Sequence, residues 1–439
     1  MISKLTRMAR LAPLALAQRR FPYRDPGAIR RVQERRIARI VEHAYQQVPH
    51  YRDEMDRLGL APEDLRTASD LGLLPILERA QVRGEGDRLI SRNLGQAVPF
   101  NSSGRTGIPI TTVWDREAVL AHLGYRERTR AVMTSIIGRR FGYRESSFSL
   151  LGGTGKKVYE TRTNAVWLPR FVMDRQHLPM RDGPAANVAE MIPFDPHLVR
   201  SYGSYLEVFF LELERQGKRP ASLRVAEFAG DAIGEEARRR IEERFEIPVI
   251  GVYNAHETLD IAFECEHRAG YHVNVDICPV RIVDSAGRDL PDGEVGDVVV
   301  SNLVNRGTVL INYRIGDRGA ILPGGCRCGR KLPLLDLAEG RVNAWIRMDN
   351  GRPVHGMDIR IVLKDDPDVR QFRIVQVDTN RLAVSVVPEL AADPDALRGR
   401  ISEGLQDLVG PGAAIEVEFK DHIPPSHSGK RQEVVSLME

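Results

Sequence analysis

Residues 101–109 have the sequence Asn-Ser-Ser-Gly-Arg-Thr-Gly-Ile-Pro, which suits a loop that binds a chain of phosphates. Glycine lets the backbone turn several N–H groups toward one point, and hydroxyl side chains add further hydrogen-bond donors. Positions 110–114 are rich in β-branched residues, so the loop is expected to lead into a strand. The candidate phosphate-binding residues are Ser102, Ser103, Gly104, Arg105, Thr106 and Gly107. An ordinary hairpin loop is the alternative interpretation.

The spacing argues against a Walker P-loop. That motif needs a glycine, four residues, and then Gly-Lys-Ser/Thr at the start of a helix. In this loop Ile108 stands where a lysine would help, and a strand follows. The Gly-Lys pairs at 155–156, 217–218 and 429–430 all lack the earlier glycine. A different kind of phosphate loop is therefore indicated.

Three of the four cysteines fall into two short groups, which indicates a metal site. Thiolates and imidazole suit tetrahedral Zn²⁺, and a closed set of four protein ligands is typical of a structural ion. The predicted ligands are Cys265, Cys326, Cys328 and one of His267 and His272. Free, unrelated thiols are the alternative.

Four isolated charged residues have types that can handle a nucleotide, although each also has an ordinary role. Glu257 follows the aromatic segment 253–256, just past a predicted strand, and could simply begin a helix. Asp317 ends the run Tyr-Arg-Ile-Gly-Asp and could pair with a neighbouring arginine. Arg341 lies in a Gly-Arg pair, and Lys430 ends a Ser-Gly-Lys run near the C-terminus, where a lone lysine is normally exposed.

Taken in order, these motifs resemble those of the adenylate-forming enzymes, and most closely the phenylacetate-CoA ligase branch. The resemblance runs from the loop at 101–109 to the Ser-Gly-Lys at 428–430, which is most of the chain. It implies that the loop binds the phosphates of ATP, that Glu257 holds Mg²⁺, and that Asp317 accepts hydrogen bonds from both ribose hydroxyls. Mg²⁺ prefers hard oxygen ligands that it shares with substrate phosphates, and an ionised carboxylate can accept two charge-assisted bonds.

The resemblance also implies nucleotide contacts at two strand ends. The residues expected to pack against adenine are Ala229, Gly230 and Asp231. A tight turn in which Asp231 caps a helix is the alternative. Tyr253 is the aromatic residue of the segment before Glu257, and Asn254 and His256 are expected to orient the acid or the α-phosphate.

Two further expectations concern the C-terminal part. The sequence also departs from the family pattern at two positions, one near the C-terminal part and one in the phosphate loop. Arg341 is expected to reach phosphate or ribose from a hinge, although Asn343 stands where relatives often have the pivot aspartate. Lys430 is expected to approach the reacting carboxylate and α-phosphate on a mobile domain, to neutralise developing charge there, and then to leave. The loop lysine of the family is replaced by Ile108, and Arg105 is a candidate for the compensating cation.

The fold class is predicted as α/β. We expect a large multi-layered N-terminal domain at 1–340, with parallel sheets, a distorted β-barrel and a helical part at 1–80. A small mobile α+β lid domain is expected at 341–439. Alternating strands and helices after position 188 favour parallel βαβ layers. The periodicity also predicts one long helix over 116–135 and a helix over 198–216.

Composition points to a cytoplasmic enzyme. The chain has 439 residues, of which 42% are hydrophobic, and a formal net charge of +3. So small a charge is a poor basis for nucleic-acid binding, which requires a concentrated basic face. No stretch approaches the roughly 20 apolar residues of a membrane span. The resemblance leaves a homodimer as a possible assembly.

The resemblance implies that ATP and Mg²⁺ convert a small-molecule carboxylic acid into an acyl-adenylate, whose acyl group then passes to coenzyme A. The acid is expected to be aromatic or arylacetic, in a pocket formed by segments such as 141–151 and 227–229. Delivery to an amine or another acceptor is the nearest alternative. A non-catalytic, zinc-stabilised binding protein is the alternative from another class, and the presence of Glu257, Asp317 and Lys430 argues against it.

Overall fold

Helices and strands alternate along most of the chain in the computed structural model. It describes residues 2–101, 110–149, 158, 160–161, 164, 171–337, 345–348, 353–355, 359, 362–363, 366–389, 392–421, 423 and 434–436. The helices are α1 (Ile2–Arg20), α2 (Pro26–Gln47), α3 (Pro49–Leu58), α4 (Arg79–Gly84), α5 (Arg116–Tyr125), α6 (Glu127–Ile137), α7 (Gly183–Phe194), α8 (Gly203–Arg215), α9 (Glu235–Phe245) and α10 (Pro394–Val409). Within the described residues, no helix has both the length and the apolar character needed to span a bilayer.

The strands form one large sheet, two hairpins and a smaller sheet. The first nine are β1 (Ala97–Asn101), β2 (Thr111–Asp115), β3 (Tyr143–Ser149), β4 (Met173–Pro179), β5 (Leu198–Ser201), β6 (Val225–Ala229), β7 (Val249–Ala255), β8 (Leu259–Glu264) and β9 (Tyr271–Val273). The next ten are β10 (Val280–Val283), β11 (Gly296–Val300), β12 (Tyr313–Leu322), β13 (Leu334–Leu337), β14 (Trp345–Arg347), β15 (Pro353–His355), β16 (Val369–Asp378), β17 (Arg381–Pro388), β18 (Ala414–Phe419) and β19 (Val434–Ser436).

The large sheet changes character at β7. Its strand order is β10-β11-β12-β13-β9-β8-β7-β6-β5-β3-β4. From β4 to β7 neighbouring strands are parallel, whereas from β7 to β10 they are antiparallel. Parallel strands are joined by helices that cover the sheet, and their carboxyl ends share one edge, where ligands bind in open α/β folds. We therefore expect a site at the carboxyl ends of β6 and β7, where the sheet changes from parallel to antiparallel.

The antiparallel half curls back toward the parallel half. The side chains of Tyr253 on β7 and Asp317 on β12 touch, with an oxygen-to-oxygen distance of 2.8 Å, although β8, β9 and β13 lie between those strands in the sheet. Neighbouring strands are about 4.8 Å apart, so a flat sheet could not bring these two residues together. The antiparallel half thus has the form of the expected distorted barrel.

The N-terminal helices are tied to the sheet through a buried arginine. The guanidinium of Arg128 on α6 is fully buried and donates to both carboxylate oxygens of Asp276, at 2.7 and 2.8 Å. Gln18 of α1 accepts from the same guanidinium at 2.8 Å, and Arg36 of α2 donates to Asp276 at 2.6 Å. Removal of one partner from such a buried pair typically costs about 3–5 kcal/mol. This network fixes α1 and α2 against α6 and the turn after β9.

The expected long helix over 116–135 is divided into α5 and α6, with Arg126 at the junction. Helix α1 crosses α5 at Gly124, where a Cβ would lie 2.7 Å from the side chain of Leu14. Glycine permits this close crossing but weakens the helix, so a break beside it is a reasonable consequence. The break directs Arg126 toward the sheet, within 3.6 Å of Glu227 on β6.

The predicted helix over 198–216 was wrong at its beginning. Residues Leu198–Ser201 form β5, which pairs in parallel with β3 and β6, and α8 begins only at Gly203. Leu198 and Val199 are fully buried. A short apolar run of this length cannot be assigned to helix or strand by periodicity alone, and here the requirement for a strand between β3 and β6 decides it.

The C-terminal part has its own core. Strands β18-β17-β16-β19 form a four-stranded sheet, and α10 packs on it through Leu397, Ile401 and Leu405. The hairpin β14–β15 contributes Ile346 and Val354 to the same core. The proposed boundary near 340 and the hinge residues Arg341 and Asn343 lie outside the described residues, so the two-domain division stays a prediction.

Candidate functional site

The site is built at the carboxyl ends of β6 and β7, where the sheet changes from parallel to antiparallel. Ala229, the last residue of β6, pairs with Val252 on β7. Tyr253 and Asn254 follow on β7, and Glu257 lies just beyond its end. The sequence-predicted contacts from these two segments therefore meet at one edge of the sheet. This is where open α/β sheets place their ligands.

Asp317 reaches this edge from the antiparallel half. Its carboxylate is 8% exposed, and the Tyr253 hydroxyl donates to its Oδ2 at 2.8 Å. Gly316 precedes it with a φ of +88°, a conformation that glycine adopts without strain. The structure thus joins two residues that the sequence placed in separate motifs. The Tyr253 hydrogen bond orients the Asp317 carboxylate.

Glu257 is a nearly buried carboxylate with a defined setting. Its side chain accepts from the Tyr313 hydroxyl at 3.3 Å, and its Oε1 lies 3.8 Å from Nη1 of Arg79. Asn302 donates to its backbone carbonyl at 3.1 Å. The contacts with Tyr313 and Arg79 orient this carboxylate. Its oxygens are ligands of the kind that a hard metal ion prefers.

The predicted phosphate loop connects the two strands of a hairpin beside Glu257. Its flanking residues Asn101 and Thr111 are paired across the hairpin. From the second strand, the indole Nε1 of Trp114 donates to the carbonyl of His256 at 3.3 Å. The loop residues Ser102, Ser103, Gly104, Arg105, Thr106, Gly107 and Ile108 lie outside the described part of the chain. The hairpin that carries the loop is therefore held beside the residue that precedes Glu257.

A turn after β11 holds the hairpin in place. The backbone N–H of Val113 donates to the Thr308 hydroxyl at 2.8 Å, and the Thr308 N–H donates to the Val113 carbonyl at 2.7 Å. Gly307 lies so close to the Val113 carbonyl that a Cβ there would overlap it. Asn302 accepts from the N–H of Asn305 at 3.0 Å, in the turn that carries Thr308. Asn302 therefore links this turn to the backbone of Glu257.

Asp231 has a structural partner, as the alternative interpretation expected. Its carboxylate accepts from the hydroxyl of Ser204, and from the Ser204 N–H at 3.3 Å, in the first turn of α8. Gly230 has a φ of +88°, and a Cβ on it would lie 2.9 Å from the ring of Tyr202. The side chain of Asp231 thus caps α8, which leaves the exposed backbone of Gly230 as the surface available to a flat ring.

The cysteine groups converge at the far side of the antiparallel half. Ligand atoms of Cys265, His272, Cys326 and Cys328 all lie within 4.8 Å of one another. The Cys265 and Cys326 sulfurs are 3.6 Å apart, and Nε2 of His272 is 3.4 Å from the Cys328 sulfur. A tetrahedral zinc ion with Zn–S bonds of about 2.3 Å holds its sulfurs about 3.8 Å apart. The four residues therefore fit such an ion.

His272, rather than His267, is the histidine brought to the three cysteines. His267 is exposed, and its Nδ1 accepts from Nε of Arg327 at 3.1 Å. Burial, with a smaller effect of the Arg330 guanidinium, lowers the pKa of His272 to about 4. Its imidazole is therefore neutral at pH 7 and keeps a lone pair for a metal.

Three residues of the site were missed by sequence analysis, and two predicted ones lie outside the described residues in addition to those of the phosphate loop. Tyr313 was part of a recognised motif, but its contact with Glu257 has no sequence signal. Arg79 and Asn302 come from segments far from Glu257, so no local pattern identifies them. Arg341 and Lys430 lie in the part of the chain that the structure does not describe.

Comparison with known proteins agrees with this geometry. No protein-family model matches the chain. It is 24% identical over 442 residues to a phenylacetate-coenzyme A ligase of Thermus thermophilus, covering 93% of this chain and 96% of that protein. To a phenylacetate-coenzyme A ligase of Escherichia coli it is 28% identical over 322 residues, covering 71% and 70%.

Among solved structures, a 2-hydroxyisobutyryl-CoA ligase in complex with 2-HIB-AMP and CoA, in the thioesterification state, has a TM-score of 0.66 at 19% identity. The similarity covers 95% of this chain and 91% of that one. The chain is thus similar to phenylacetate-CoA ligases over most of its length, and it has the fold of the adenylate-forming CoA ligases. The predicted resemblance and the predicted fold class are confirmed.

The geometry at Asp317 yields a binding prediction. We expect Asp317→Asn to weaken the binding of Mg²⁺-ATP by roughly tenfold or more, because hydrogen bonds to a charged group contribute about 1.5–3 kcal/mol. Isothermal titration calorimetry measures the change. Asp336→Asn is the matched control, since Asp336 is exposed on the neighbouring strand β13. Equal ATP affinity of Asp317→Asn and wild type would contradict the ribose assignment.

Proposed function

We propose that this chain, which has the fold of adenylate-forming CoA ligases and is similar to phenylacetate-CoA ligases, activates a carboxylic acid with ATP and transfers the acyl group to coenzyme A. The observation that carries the proposal is the meeting of Glu257, Asp317 and the hairpin of the phosphate loop at one edge of the sheet. These are the groups that the adenylation of an acid requires, and they come from distant parts of the sequence.

The reaction has two half-reactions at the same site. The acid carboxylate attacks the α-phosphorus of ATP, so an acyl-adenylate forms and pyrophosphate leaves. The thiol of coenzyme A then attacks the acyl carbon, and a thioester forms with release of AMP. Coenzyme A as acceptor is supported by the relatives, which are named CoA ligases, and by the neighbouring structure that contains an acyl-AMP and CoA.

The roles of the nucleotide-binding groups follow from their settings. Glu257 supplies a carboxylate oxygen for Mg²⁺ on the triphosphate, and Arg79 adds positive charge 3.8 Å from it. Asp317, oriented by Tyr253, accepts hydrogen bonds from the ribose hydroxyls. Ala229 and Gly230 would pack against adenine, and Asn254 would orient the acid or the α-phosphate.

The C-terminal part supplies the mobile groups of the proposal. Arg341 at the hinge reaches the nucleotide, and Lys430 approaches the α-phosphate in the first half-reaction. A lysine that enters with a moving domain can stabilise the charge of adenylation and then leave the site to CoA. A cytoplasmic location and a homodimer remain predictions from composition and resemblance.

Zinc is proposed as a structural ion held by Cys265, His272, Cys326 and Cys328. All four ligand atoms come from the protein, so no position is open for a substrate, and a site of this kind contributes to folding. It joins the turn after β8 and strand β9 to the turn before β13. The same region contacts the N-terminal segment, where the Lys331 N–H donates to the carbonyl of Pro22 at 2.6 Å.

The variant Lys430→Ala tests whether this lysine acts only in the adenylation half-reaction. We expect this variant to lose acid-dependent exchange of pyrophosphate into ATP, because the lysine stabilises charge only during adenylation. It should still consume a supplied acyl-adenylate with CoA. Lys420→Ala is the matched control, because Lys420 is an exposed lysine of the same domain that pairs with Glu418. Equal loss of both half-reactions in Lys430→Ala would count against the assignment.

The zinc proposal predicts about one zinc per chain in protein purified without added metal. Elemental analysis should show this content in wild type and a clear loss in Cys326→Ser. Cys278→Ala is the control, since Cys278 is a buried cysteine of the core outside the cluster. Absence of zinc from the wild-type protein would remove the proposal.

A further inference from the structure

A layer of charged side chains crosses the sheet, and it includes Glu145 and Glu227 from the two segments predicted to form the acid pocket. It extends over neighbouring strands from β4 to β8, and it includes side chains from the junction of α5 and α6. Its members are His122, Arg126, Glu145, Arg175, Arg200, Glu227 and Asp260. Charged groups are rarely buried in such number without a function or full pairing.

Most of the layer is closely paired. Glu145 lies 2.9 Å from Arg175 and 3.1 Å from Arg200, and Glu227 lies 2.6 Å from Arg200. Burial alone would raise the pKa of the Glu145 carboxyl, but the two guanidinium groups hold it at about 2. Glu145 and Glu227 thus both pair with the guanidinium of Arg200, and the ion pairs of this half of the layer lie within the layer itself.

The layer adjoins the site through three strands. Glu227 comes two residues before Ala229 on β6 and therefore faces the same side of the sheet. Asp260 on β8 is directly opposite Asn254 on β7, so these side chains also share a face.

His122 continues the connection toward the reacting end of the site. It lies 3.3 Å from Asp260, and its ring packs on Trp114 with a centroid distance of 5.2 Å. Trp114 in turn donates to the carbonyl of His256. His122 and Trp114 therefore connect the charged layer to the segment that precedes Glu257.

Arg126 differs from the other two arginines of the layer. Its nearest partner is Oε1 of Glu227 at 3.6 Å, and among the described residues its side chain makes no hydrogen bond. The side chain is 29% exposed, compared with 11% for Arg175 and 20% for Arg200. It lies close enough to Asp260 that, against the opposing effect of burial, it lowers the pKa of that carboxyl. Arg126 therefore has donors to offer, with two carboxylates beside them.

The charges of the layer limit what those donors can bind. Three arginines face three carboxylates, so the layer is neutral when His122 is neutral. An added anion would give the layer a net negative charge. An apolar ring would displace water from the guanidinium and offer no hydrogen-bond acceptor in its place. A hydroxyl satisfies both kinds of neighbour, since its oxygen accepts a hydrogen bond from Arg126 and its O–H donates one to Glu227 or Asp260.

We propose that Arg126 is a specificity-determining residue that selects a hydroxylated carboxylic acid over an unsubstituted aryl or arylacetic acid. The inference rests on the proposed function and names its substrate class. A site built to hydrogen-bond a substrate hydroxyl rejects the analogue that lacks it, because the polar groups of the site are then left unpaired.

The test is a pyrophosphate-release assay with matched acids. Phenylacetate and benzoate are compared with their hydroxyl derivatives and with methyl derivatives of the same shape. Wild type should favour a hydroxylated acid in kcat/KM by roughly tenfold or more, as expected for hydrogen bonds to a charged group. In Arg126→Leu this preference should disappear through a rise in KM for the hydroxylated acid, while KM for ATP stays unchanged.

Two further variants separate specificity from folding. Arg126→Lys keeps a cation and should recover part of the preference. Arg139→Leu should keep all of it, because Arg139 is an exposed arginine just after α6. Binding of a hydroxylated and an unsubstituted acyl-sulfamoyl adenosine, measured by calorimetry, gives the same comparison without turnover.

Two outcomes would overturn the inference. Equal use of methyl and hydroxyl derivatives by wild type, or a preference that survives in Arg126→Leu, would remove it and leave the proposed function standing. If no acid of the panel releases pyrophosphate although ATP binds, the proposed function itself fails, and this inference falls with it.

Discussion

The rest of the site depends on the curl of the antiparallel half of the sheet, which the hydrogen bond between Tyr253 and Asp317 requires. This hydrogen bond joins β7 to β12 across three intervening strands, and it can form only because the antiparallel half of the sheet curls back over the carboxyl ends of the parallel half. The curl turns an open strand edge into a site with two sides. The Asp317 carboxylate then lies close to the carboxyl ends of β6 and β7, which are proposed to bind the nucleotide.

The second side of the site is held by hydrogen bonds that side chains donate to backbone carbonyls, and not by side-chain packing alone. Asn302 fixes the carbonyl of Glu257, and Trp114 fixes the carbonyl of His256. Both residues also belong to elements that position the hairpin of the phosphate loop. The proposed metal ligand and the hairpin that carries the predicted phosphate loop are therefore coupled, since a shift of the hairpin would move the backbone from which Glu257 projects. Preorganisation of this kind is what charge-stabilising sites require.

Sequence alone predicted the site residues that lie in recognisable motifs, and it failed where partners are distant or where elements compete. Asp317 and Glu257 were predicted because their neighbours carry a recognisable pattern. Arg79, Asn302 and Arg126 have no such pattern, because each acts through a contact with a residue far along the chain. Residues 198–201 were assigned to a helix because their apolar run precedes an amphipathic one, and only the gap between β3 and β6 makes them a strand. Asp231 was given two interpretations, and its bonds to Ser204 place its carboxylate at the start of α8, while its contact with adenine stays a prediction.

The claim that one nucleotide is bound between these two sides is tested most directly by a crystal structure with Mg²⁺ and a non-hydrolysable ATP analogue. The account predicts the Asp317 carboxylate within hydrogen-bonding distance of both ribose hydroxyls and a Glu257 oxygen at the metal or at one of its waters. A nucleotide bound elsewhere, or a nucleotide bound here without contact between Asp317 and the ribose hydroxyls, would contradict the account.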